Sequence, residues 1–171
     1  MSTLGDVFTV VAVLVGLGIT GWATLVALAF ALPGATARAR ARIEAEPGGT
    51  AVVGILWLLL PVAGLVASNV PNPLVTLVSV VIAAGSLLIA AIGAAGLASL
   101  VGERISADGG LSRYAGIVKG AAFLAAAVQL PLVGWFVALP LLLVIGLGAG
   151  FPAVLAARRT RSSEAVAEEL R

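Results

Sequence analysis

The chain has 171 residues, 61% of them hydrophobic and only 11% charged, with a net charge of +2. A soluble domain is about 45–50% apolar and about 25% charged, so a chain this apolar cannot hide its side chains inside one water-soluble globule and takes the bilayer as solvent for most of its length. Cys and His are absent, which excludes disulfides and the usual zinc, copper, haem and iron–sulfur sites, so no cofactor or metal is expected.

Residues 7–37, 47–102 and 120–157 carry no charge. A membrane helix needs about 20 apolar residues. Turn chemistry divides the longer runs. Ser68-Asn69-Val70-Pro71-Asn72-Pro73 cannot continue a helix, and Gln129-Leu130-Pro131 precedes a turn with an interfacial Trp135. The expected spans are about 7–32, 50–68, 73–101, 113–130 and 132–157, followed by a cytoplasmic tail, 158–171. The fold class is an all-α integral membrane protein with five transmembrane helices in a single membrane domain. The fourth span is short and contains Lys119.

The first span reads as a retained anchor rather than a cleaved leader. Its apolar stretch is about twice a normal signal-peptide core, and no basic segment precedes it. Within it, Gly16-Leu17-Gly18-Ile19-Thr20-Gly21 matches a dinucleotide-binding fingerprint. That reading requires a strand–turn–helix in water, which a mid-membrane glycine run does not provide.

Charge sets the orientation. Arg38, Arg40 and Arg42 follow the first span, Arg104 and Arg113 flank the third connection, and Arg158, Arg159, Arg161 and Arg171 follow the fifth span. The connections near Asn69 and Leu130 have no charge. Five spans put every basic group on one side, which the positive-inside rule makes the cytoplasm, with the N-terminus out and the C-terminus in. The sequence pI of about 9.9 therefore reflects topology, and no nucleic-acid partner is expected.

The basic connector, 33–49, has Arg40/Glu44 and Arg42/Glu46 at i,i+4 spacing, which supports a short helix by a few tenths of a kcal/mol per pair. It reads either as a helix lying on anionic headgroups or as a solvated connector. Arg42-Ile43-Glu44-Ala45-Glu46-Pro47-Gly48-Gly49 before the second span resembles Arg104-Ile105-Ser106-Ala107-Asp108-Gly109-Gly110 before the fourth. Each is followed by an apolar stretch and then Pro-Leu-Val, at Pro73 and at Pro131. This suggests one helix plus two pseudo-repeated hairpins in parallel arrangement.

Ser86, Ala90, Ala94 and Ala98 recur at every fourth position, and Gly116/Gly120 form a second small-residue pair. Such rows let membrane helices approach closely, and packing within the chain is the favoured expectation. Pro61 and Pro140 fall inside spans, as prolines ordinarily do in membrane helices. Lys119, the one ionisable side chain within an expected span, is a candidate pathway residue, although a lysine stem can snorkel to the nearby boundary. The tail beyond Arg158 reads as a short helix or frayed end, with Ser162 or Ser163 available as a cap.

Ala31-Leu32-Pro33-Gly34-Ala35-Thr36-Ala37-Arg38, the Arg/Glu helix ending at Pro47, the apolar hairpin turning at a proline and the closing Leu130-Pro131-Leu132-Val133-Gly134-Trp135 together resemble a prokaryotic multi-pass domain. That domain anchors bactofilin-like, polymer-forming β-helices. The resemblance implies a membrane anchor and supplies no catalytic residues. The short-repeat β-helix that precedes the domain in that family is not in this sequence, so a separate partner would make any link to a filament.

The leading functional expectation is a non-enzymatic structural, anchoring or assembly subunit of a prokaryotic cell membrane. It would meet headgroups, a protein partner or a second copy of itself through Arg38, Arg40, Arg42, Arg104 and Arg113. The alternative is a small transporter or channel, or an accessory subunit of one. An intramembrane enzyme using Ser79 or Ser86 lacks a base to activate the serine. Replacing Arg38, Arg40 and Arg42 together by Glu is expected to disturb topology or partner recruitment. Loop labelling and partner binding that both stay unchanged would remove that role.

Overall fold

A computed structural model describes residues 4–106 and 112–169. These residues are helical apart from short turns, and no strand occurs among them. The order is α1 (Leu4–Ala31), α2 (Pro33–Ala45), α3 (Pro47–Ala67), α4 (Pro73–Ser106), α5 (Arg113–Gln129), a π-helical turn (Gly134–Ala138) and α6 (Leu139–Glu169). Within the described residues, four segments are long and apolar enough to cross a membrane: 5–31, 47–67, 73–106 and 134–156. The shorter apolar segment 114–129 accompanies them.

Proline and asparagine set the boundaries. Pro33 and Pro47 stand at the first positions of α2 and α3, where a missing N–H costs nothing and the fixed φ suits a helix. Glu46, between them, leaves the helical conformation (φ −142°, ψ 72°) and closes α2 through its N–H to the Arg42 carbonyl. At the α3–α4 turn the Asn69 amide donates to the Leu65 and Val66 carbonyls, and the Asn72 carboxamide oxygen accepts from Leu74 N–H at 3.0 Å. Ser112 caps α5 by accepting from Ala115 N–H. Beyond Arg158, α6 continues without a break to Glu169. Ser162 and Ser163 thus lie inside one long helix and cap no separate one. Nothing in that stretch stops helix propagation, because neither Gly nor Pro follows Pro152.

Helix α4 is the axis of the bundle. At 34 residues it is about 51 Å long, and its buried positions concentrate in the half from Ala90 to Gly102. The contacts along this half are backbone against backbone. A Cβ at Gly120 would overlap the Ala98 carbonyl, and one at Gly102 would overlap the Gly116 carbonyl, so α5 lies antiparallel on α4 with no room for a side chain. Helices α3 and α6 meet in the same manner, Gly54 against the Val144 carbonyl and Gly148 against the Thr50 carbonyl. Helices α4 and α6 cross at Gly93 and Gly146. The first helix of each expected hairpin therefore packs by glycine on the second helix of the other, an exchange consistent with the pseudo-repeat. Residues 107–110 of the second repeat motif lie outside the described residues.

The small-residue row on α4 does not form one seam. Ala90 faces Gly146 of α6, Ala94 is buried, Ala98 faces Gly120 of α5, and Ser86 is half-buried. A row at every fourth residue turns by about 40° per step on a 3.6-residue helix, so its two ends meet different neighbours.

The two hairpins differ in reach. Gln129, at the end of α5, lies nine residues, about 14 Å, beyond Gly120. Pro73 lies twenty-five residues, about 38 Å, beyond Ala98, which Gly120 faces. The α5–α6 turn is thus recessed by roughly 20 Å behind the α3–α4 turn. Elsewhere the surface is apolar, with Leu65, Leu74, Leu132 and Phe136 each more than two-thirds exposed, as expected where lipid chains and not water complete the packing.

Gly120→Leu should displace α5 from α4 and remove the folded species in a detergent melt. Gly85→Leu, at a glycine with open space around its Cβ position, should leave the melting temperature unchanged. Equal melts for the two variants would refute the glycine contact.

Candidate functional site

Two regions combine several functional groups: a polar strap at one end of the bundle and an apolar cleft nearer the other. The strap is α2. Its thirteen residues bury Ala35, Thr36, Ala39 and Ile43, which lie on one face because their spacing follows the helical turn. That face packs on α4, where a side chain at Gly96 would meet Ala39 Cβ at 2.9 Å, and on α6 through Ala149 and Ala153. The apolar face of α2 is therefore inserted in protein, and its other face, with Ala37, Ala41 and Glu44, stays exposed.

This seating turns the arginines inward. Arg38 Nε donates to the Ala153 carbonyl of α6 at 3.2 Å. Arg40 pairs with Glu44 one turn along, at 3.3 Å, and with Glu103 of α4. The Arg40/Glu44 pair is expected from i,i+4 spacing, while Arg42/Glu46, expected on the same ground, forms no ion pair among the described residues, and Glu103 was not legible as a partner. The available signal was its position, since Glu103 is the one acid between Pro47 and Asp108. Arg40 and Arg42 also bury their Nε atoms without a hydrogen-bond partner among the described residues, a desolvation cost that the tight seating of α2 imposes. Arg104 is exposed. The side chain of Arg113 lies outside the described residues.

Lys119 is exposed on α5 and lines none of the cavities described below. Its place suits snorkelling better than a route through the bundle. Gly116 and Gly120 belong to the α4 contact and Ala90, Ala94 and Ala98 to the core, so the packing residues read from the sequence act within the chain. A small cavity of about 170 Å³ beside Arg40 is lined in part by Thr36, Glu44 and Ser99.

The cleft has a volume of about 560 Å³. Helix α1 forms one wall with Leu14, Gly18 and Gly21, α5 the back with Gln129, and the π-turn and the start of α6 the other wall with Trp135; Ala91 of α4 forms part of the lining. It exists because the α5–α6 turn is recessed and because α1 carries glycines at this level. The glycine run 16–21, meaningless as a dinucleotide motif, thus has a spatial consequence: Gly21 leaves the wall open, and Gly18 makes room for the Gln129 side chain.

Two side chains tie α1 to α5 at either end of this region. Trp22 Nε1 donates to the Val118 carbonyl at 3.2 Å, and Gln129 Nε2 donates to the Leu14 carbonyl. Thr20 and Thr24 satisfy their hydroxyls on the Gly16 and Thr20 carbonyls of their own helix. From its neighbours Leu130 and Pro131, Gln129 reads only as a turn residue. Its being the sole glutamine in an apolar chain was the signal available.

Among the described residues, no group of three or more His, Cys, Asp or Glu side chains converges to hold a metal ion. The chain matches no family model, no curated protein and no solved structure.

Because the Arg40 and Glu103 side chains are 25% and 42% exposed, water screens their pair. Glu103→Gln should lower stability by no more than about 1 kcal/mol in a detergent unfolding titration. A loss of several kcal/mol would mean that the pair is functionally buried.

Proposed function

We propose that this chain is a non-enzymatic, five-span protein of a prokaryotic cell membrane, N-terminus out and C-terminus in, that serves as a structural, anchoring or assembly subunit. The observation that carries the reading is the convergence of Arg38, Arg40, Arg42, Glu103 and Arg104 at one end of the bundle around the seated α2. The opposite turns carry no charge. Positive charge gathered at one end favours the cytoplasmic side for that end. Orientation of the C-terminus does not depend on how deep the fourth span reaches, because a hairpin returns α6 to the side from which α5 enters.

The strap also refines the partner surface. With Arg38 and Arg40 engaged inside the fold, Arg104 and the solvent side of α2 are the groups left to meet an acidic partner or anionic headgroups. In line with the resemblance to bactofilin-associated anchor domains, a filament-forming partner is one such candidate. A small transporter, or an accessory subunit of one, is the second reading, favoured by the cleft; its route would pass Gln129 and not Lys119.

Since the chain has no native cysteine, single-cysteine labelling tests the topology directly. A cysteine replacing Asn69 should react with an impermeant maleimide in intact cells, and one replacing Ala45 only after permeabilisation. The reverse pattern would overturn the orientation. Mild-detergent extraction should then recover a stoichiometric partner that Arg104→Glu releases, and recovery of the chain alone would overturn the assembly role.

A further inference from the structure

We propose that the cleft between α1, α5 and the start of α6 is a binding site for a neutral, hydroxyl-bearing lipid of the monoacylglycerol or diacylglycerol type. At about 560 Å³ it falls within the range of small-molecule sites, about 300–1,000 Å³, and it has their usual make-up of an apolar lining with a few polar groups. Its depth supplies the class of ligand. The lining comes from residues 14–25 of α1, 124–129 of α5 and 135–142 of the π-turn and α6, with Ala91 of α4; the α1, α4 and α6 parts lie in segments long and apolar enough to cross a membrane, and α5 is a shorter apolar helix. The recessed α5–α6 turn leaves a column of space that water does not favour and a lipid chain does.

The polar groups specify the end of that lipid. Gln129 uses its Nε2 on the Leu14 carbonyl, while its Oε1 has no partner among the described residues. The indole N–H of Trp135, in the same cleft, likewise makes no hydrogen bond to the described residues. Filling the cleft with an apolar chain alone would leave this acceptor and this donor unpaired, which is costly. A hydroxyl answers both, donating to Gln129 Oε1 and accepting from Trp135 Nε1. The lining contains no ionisable side chain, so nothing in the cleft compensates a phosphate, and an uncharged polar end is selected over a phospholipid headgroup. The acyl chain then runs towards Leu25, Leu124 and Leu142 at the apolar end.

The test uses the full chain in phosphatidylcholine nanodiscs, with a monoacylglycerol brominated on its chain as quencher of tryptophan fluorescence. Trp135 lines the cleft and Trp22 packs beside its apolar end. Saturable quenching is expected. Gly21→Leu should abolish it, since open space surrounds that Cβ position and the new side chain enters the cleft without a backbone clash. Gln129→Leu should weaken it by about tenfold, equivalent to about 1.4 kcal/mol, and Gly85→Leu should leave it unchanged. Brominated phosphatidylcholine should give only non-saturable quenching. Identical quenching in the wild type and Gly21→Leu would overturn the site. Equal competition by phosphatidylcholine would overturn its selectivity for an uncharged end. If Gly21→Leu fails to melt like the wild type, the Gln129→Leu titration decides, and an unchanged affinity there refutes the proposal.

Discussion

Backbone-to-backbone approach at glycine is the interaction on which the rest of this structure depends. In lipid there is no hydrophobic drive to bring one apolar helix to another, so association relies on how closely the helices can pack. Here Gly102, Gly116 and Gly120 join α4 to α5, Gly54 and Gly148 join α3 to α6, and Gly93 and Gly146 join α4 to α6. Each contact lies where a single Cβ would collide with a carbonyl of the neighbouring helix. The bundle is thereby closed around one half of α4, and every other feature is arranged relative to that closed half.

Tight closure at one end has opposite consequences at the two ends. Near Gly96 it draws in α2, a helix polar in composition but apolar on one face, and seats its arginines against the Ala153 carbonyl and Glu103. At the other end α5 stops at Gln129, far short of the α3–α4 turn, and the Gln129 and Trp22 side chains hydrogen-bond α1 and α5 to each other beside the gap. One region is a rigid polar platform, the other an apolar hollow. A subunit that offers a fixed inner surface to a partner while accepting lipid between its outer helices is a coherent reading of that asymmetry.

The arginines illustrate how a shared signal carries different roles. All of those on α2 add to the positive charge gathered at one end of the bundle. Only their placement separates Arg38 and Arg40, engaged with α6 and α4, from the exposed Arg104. Glu103 belongs to the same division. It lies sixty-three residues from Arg40, and no local pattern links the two.

Composition and local chemistry determined by themselves that the chain is helical and apolar, where its main turns fall, and which end gathers positive charge. These follow from short-range causes: the length of uncharged runs, proline at helix starts, asparagine at the turn, arginine beside each apolar segment. The glycines at 116 and 120 and the alanines at 90, 94 and 98 were legible as packing positions, because close helix approach demands small residues at helical spacing. Which helix each would meet was not, since a fourfold row winds around α4 and changes neighbour along its length. Tertiary structure alone decided that α2 is buried on one face, that Glu103 closes on Arg40, and that the short α5 leaves a cleft lined by Gly18, Gly21, Gln129 and Trp135. The reason is physical: those features depend on the depth and register of one helix against another, which side-chain contacts across the bundle set and neighbours in the chain do not.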